Sequence, residues 1–69
     1  MNKSDKEISE IKWTLKRNGI TQDTLVERSG FKLGTVNAVL NGAHRKMSTR
    51  KAIVDAANEL IVESNLSNL

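Results

Sequence analysis

Three glycines, each preceded by a small polar residue, punctuate the chain at Asn18-Gly19, Ser29-Gly30 and Asn41-Gly42. Glycine accepts the left-handed backbone that ends a helix, so each pair reads as a helix stop. The stops leave room for two short helical segments in the middle of the chain, joined by a tight Gly-containing turn. Proline is absent and there are only four glycines in all, which suits a compact helical domain better than a disordered one.

The segments themselves carry helical signals. The first opens with Ser4-Asp5-Lys6-Glu7, a capping-box pattern, and repeats Ile8, Ile11 and Leu15 on one face. Trp13 falls on roughly the opposite side, either packed against another element, the favoured reading, or exposed for a partner. The second segment starts from Thr21 as N-cap, with Gln22 and Asp23 in its first turn and Leu25 and Val26 facing inward. The third carries Leu33, Val36, Val39 and Leu40, and a loop from Ala43 to Met47 leads to Ser48 as N-cap of the fourth. There Ile53, Ala56, Ala57 and Leu60 repeat at i, i+3, i+4 and i+7. The polar residues from Ser64 to Leu69 are expected to fray.

A length of 69 residues allows one domain with a modest core. A domain of this size buries only about 60% of its unfolded surface, so its stability is small or shared with a partner subunit. The chain lacks cysteine and has one histidine, which argues against disulfides and thiolate or histidine metal sites. No apolar run is long enough for a signal peptide or a membrane span. Nothing pairs a nucleophile with a base, and no Gly-rich loop is set to cradle a phosphate, so an enzyme is not expected. The net charge of +3 is weak evidence until it is located. Acids fall in two blocks, Asp5 to Glu27 and Asp55 to Glu63. The stretch between, from Arg28 to Val54, holds Arg28, Lys32, Arg45, Lys46, Arg50 and Lys51 and no acid. Such a stretch creates a positive field that attracts phosphate backbones.

Two short helices across a glycine turn are the geometry of a helix-turn-helix, here from Gln22 to about Gly42 with Lys32 to Asn41 as the second helix. Ile20-Thr21-Gln22, Leu25, Gly30, Thr35-Val36 and Asn41-Gly42 resemble the pattern of the Cro and repressor (XRE-like, lambda-repressor-like) family, over roughly residues 8 to 62. The compact size is similar to that of the Cro and Ner-type regulators of bacteriophages. Val26 departs from the pattern, where the family places alanine at a close helix crossing. Lys32 also departs from it, standing where a Ser or Thr cap is usual.

The resemblance implies an all-α, compact four- to five-helix lambda-repressor-like domain that occupies the whole chain. It also implies which residues touch DNA. Gln22 anchors a phosphate, and Lys32, Leu33, Gly34, Asn37 and Ala38 face the major groove, with Thr35 and Asn41 among the phosphate contacts. The residues agree in part on their own terms: Val36, Val39 and Leu40 take the inward face, which leaves Lys32, Leu33, Asn37 and Ala38 pointing outward. Lys32 suits guanine O6 and N7, Asn37 suits adenine N6 and N7, and Leu33 and Ala38 suit thymine methyls. Capping the turn beside Phe31 is the other role open to Leu33. Gly34 breaks a local rule, since glycine in a helix costs up to about 1 kcal/mol relative to alanine. Close approach to the bases, or chance, accounts for it.

His44, Arg45, Lys46, Ser48, Thr49 and Arg50 form a candidate phosphate clamp. Arg50 and Lys51 sit in the first turn of the fourth helix, where the dipole disfavours cations by roughly 0.3–1 kcal/mol each unless an anion binds there. The expected function is sequence-specific binding of double-stranded DNA by a transcriptional regulator. A phage or prophage Cro-like repressor, acting in a bacterial cytoplasm as a homodimer on a palindromic operator, fits best. One short helix reads few bases, which is why two copies are needed. Val54, Ile61, Val62 and Leu66 lie off the main stripe and are the candidate dimer surface, for a dimer that is weak or forms on DNA. No cofactor, small-molecule ligand or membrane is expected. The alternative is an autoregulatory antitoxin-type protein that also binds a protein partner.

Overall fold

The computed structural model describes residues 3–43 and 46–67, and these form four helices with no strand among them. They are α1 (Lys3–Arg17), α2 (Gln22–Ser29), α3 (Leu33–Leu40) and α4 (Met47–Ser67). No helix is long and apolar enough to cross a membrane among the described residues.

The punctuation acts largely as its chemistry dictates. Thr21 caps α2, its Oγ1 accepting from the Thr24 N–H at 3.3 Å. Gly30 ends α2 at φ +77°, with its N–H returned to the Val26 carbonyl at 2.9 Å. A side chain at that φ is strained, so the tight connection to α3 needs glycine. Lys32 precedes α3 in extended backbone and makes no side-chain cap bond.

Three boundary expectations are corrected. α1 already includes Lys3, so Ser4 lies inside its first turn rather than capping it. α4 begins at Met47, placing Ser48 within the helix, and the Arg50 N–H closes the first turn on the Lys46 carbonyl at 3.0 Å. Its far end runs on to Ser67 where fraying is expected, and the last two residues of that expected tail, Asn68 and Leu69, lie outside the described residues. Part of the reason is a tether: Ser64 Oγ donates to Asn18 Oδ1 at 3.4 Å, tying the end of α4 to the end of α1.

The core is one cluster. Ile8, Ile11 and Leu15 come from α1, Leu25 from α2, Val36, Val39 and Leu40 from α3, and Ile53, Ala56, Ala57 and Leu60 from α4. α4 packs against all three other helices. Leu25, Val36, Val39 and Ile53 are fully buried, and truncating such a side chain to alanine costs about 2–5 kcal/mol for Leu or Ile. Val26 and Phe31 are half-buried against this cluster.

Two side chains overturn expectations. Trp13 does not pack into a second stripe; it is 66% exposed, with the Lys16 ammonium 5.8 Å from its ring centroid. Arg28 does not add to the positive field. It reaches across from α2 to α4, where its Nη2 donates to Glu63 Oε1 at 2.8 Å and its Nη1 lies 3.5 Å from Glu59 Oε2. The hydrogen bond to Glu63 and that carboxylate's charge raise the Arg28 pKa above its ordinary value. The same bond holds the Glu63 carboxyl below its own.

Candidate nucleic-acid interface

α3 is amphipathic in the sense that the site requires. Val36, Val39 and Leu40 are buried and hold the helix against the rest of the molecule. The opposite side presents Lys32, Leu33, Gly34 and Asn37 to solvent, followed by Asn41 at its C-terminal cap. Thr35 and Ala38 are half-buried on its flanks. Leu33 is 50% exposed, large for an apolar side chain without a partner, and it lies beside Gly34. A Cβ added at Gly34 meets nothing within 4 Å, so glycine is not needed there for packing within the protein.

A groove lies between α1, the start of α2 and the C-terminal end of α3. Lys12, Leu15 and Lys16 of α1, Ile20, Gln22 at the start of α2 and Leu40 of α3 line it. Gln22, half-buried, thus sits with two lysines at the positive end of α2. Lys12 and Lys16 are an i, i+4 pair on one side of α1. Lys12 is bonded directly to the α3 side: its Nζ donates to Asn41 Oδ1 at 3.0 Å, and Asn41 Nδ2 donates in turn to Asn37 Oδ1 at 3.1 Å. These lysines escape a reading of charge along the chain because they lie in a block rich in acids. Their offset from the Ile8–Ile11–Leu15 stripe is the signal that separates them from it.

The residues expected to form the clamp divide by exposure. His44 and Arg45 lie outside the described residues. Lys46 and Ser48 are exposed. Thr49 and Arg50 are not: they are 8% and 9% exposed, packed into the body of the molecule. Arg50 lines a hollow between α1 and α4 together with Glu7 and Asp55. The expectation that Thr49 and Arg50 project as phosphate contacts is therefore corrected. Lys51, beside them, is exposed.

The candidate dimer residues divide in the same way. Val54 and Ile61 pack against the core and are half-buried, so they are largely used within the chain. Val62 and Leu66 are 56% and 62% exposed on α4.

No family model matches the chain, and no match is found among curated proteins or among solved structures.

Proposed function

We propose that this protein is a sequence-specific regulator that binds double-stranded DNA by laying α3 in the major groove. The observation that carries the proposal is the division of α3. Its apolar side is fully used in the core, while Lys32, Leu33, Gly34 and Asn37 are exposed on a two-turn helix held by a glycine turn. That is the shape and chemistry with which a helix reads base edges. Lys16 and Gln22 along the groove, and Lys46 and Lys51 beyond α3, supply phosphate contacts that position it. Leu33 packs on thymine methyls, and Gly34 allows close approach. By its resemblance the protein is a repressor of the phage Cro and Ner kind, acting as a homodimer through Val62 and Leu66.

Selection of bound sites from random duplex DNA tests this reading, followed by titration of the enriched site across salt concentrations. A defined motif, bound with an affinity that falls steeply as salt rises, is the expected result. Equal binding to every duplex would leave only an electrostatic role, and no binding at low salt would end the proposal.

A further inference from the structure

The bonds that join Lys12, Asn41 and Asn37 have a direction. An ammonium group only donates, so the Asn41 oxygen is the atom that must face Lys12, at 3.0 Å. The amide nitrogen of Asn41 is thereby turned the other way, toward Asn37 one helical turn earlier, whose Oδ1 accepts from it at 3.1 Å. The consequence falls on Asn37. Its oxygen is engaged along the helix, and its Nδ2 is the end of this exposed side chain that takes no part in the bonded row.

We propose that Lys12 determines specificity by positioning Asn37 as a donor, so that α3 reads guanine at the base pair Asn37 faces. This inference rests on the DNA-reading function proposed above. Pairing with adenine needs both ends of an asparagine amide, the oxygen accepting from N6 and the nitrogen donating to N7. Guanine offers two acceptors, N7 and O6, to a group that donates. An asparagine whose oxygen is drawn along the helix by a bond within the protein keeps a second lone pair but loses the orientation that adenine needs, and its amide nitrogen matches guanine. Released from the relay, it turns to adenine. Lys12 itself touches no base; its ammonium sets the orientation through Asn41.

Selection from random DNA with the wild type and with Lys12→Met, Lys12→Arg and Asn37→Ala tests this. Lys12 is exposed, so the methionine variant keeps the fold while losing the donor. In the wild type, guanine is expected at one position whose preference Asn37→Ala abolishes. Lys12→Met is expected to shift that position toward adenine by about tenfold, within the range of one side-chain–base pairing, and to leave the other positions alone. Lys12→Arg, which still donates, restores guanine. In the free protein, the side-chain amide resonances of Asn37 and Asn41 move in Lys12→Met and return in Lys12→Arg. A wild type that enriches a motif while Lys12→Met weakens all sequences equally, with a salt slope lower by about one, makes Lys12 a phosphate contact and overturns the proposal. A wild type that enriches no sequence overturns the DNA-reading function and this specificity role together. The amide resonances still report whether the relay exists.

Discussion

Gly34 is the residue at which the demands of folding and those of the proposed DNA reading part. Its backbone is ordinary helix, since the left-handed glycines among the described residues are Gly19, Gly30 and Gly42. Open space surrounds the place where a Cβ would stand. Alanine there is expected to stabilise the protein by about 0.5–1 kcal/mol, by restricting the unfolded chain. For a domain of this size that raises the Tm by roughly 4–8 °C per kcal/mol. The methyl group would project from the exposed side of α3, between that helix and any base laid against it. Gly34→Ala is therefore expected to raise the Tm and to lower affinity for the selected DNA site about tenfold. Thermal unfolding and a binding titration on the same variant check both halves. A higher Tm with unchanged affinity would show that α3 does not approach the bases closely at this point.

At the scale of elements, α2 is fixed from two sides. Leu25 anchors it in the core, and Arg28 ties its last turn to Glu59 and Glu63 of α4. The tie predicts a pH dependence. The bond from Arg28 lowers the Glu63 pKa in the folded state. Its contribution is therefore fully present above the ordinary carboxylate range, near pH 4.3, and is lost as pH falls through the lowered folded value. Glu63→Gln is expected to reduce stability at neutral pH and to narrow the difference between wild type and variant at about pH 3, below the carboxylate range. Urea unfolding at the two pH values measures this. A difference that persists unchanged in acid would assign the effect to packing. The core stripes and the glycine stops were legible in the sequence because they depend on spacing within one helix. Arg28 and Lys12 were not, because their roles depend on which helix lies opposite. Arg28 reads as part of a positive stretch until Glu63, far along the chain, is placed beside it. Lys12 is hidden among acids until α1 sorts the two signs onto different sides. Thr49 and Arg50 mislead for the same reason, since polar residues early in a helix look exposed until the fold buries them.

If the proposed DNA-reading function holds, the dimensions of the whole molecule bear on how two copies would share one operator. α3 spans eight residues, about 12 Å at 1.5 Å per residue, so one copy faces only a few base pairs. Specific binding then requires a second copy about 34 Å along the duplex, one helical turn away. The molecule measures 36 × 25 × 16 Å. With its long axis along the DNA, two copies at that spacing meet edge to edge and have little area to share. A small contact gives a weak dimer in solution, while DNA holds both copies at high effective concentration. Val62 and Leu66, exposed apolar side chains toward the C-terminal end of α4, are the candidates for such a contact. Both are peripheral to the core, so Val62→Asp with Leu66→Asp is expected to leave the monomer's Tm nearly unchanged, within the range of ordinary surface substitutions. The pair should lower affinity for the palindromic site by about tenfold or more while leaving a single half-site untouched. Parallel titrations of half-site and palindrome measure that split. Equal losses on both duplexes would place Val62 and Leu66 outside the contact between copies.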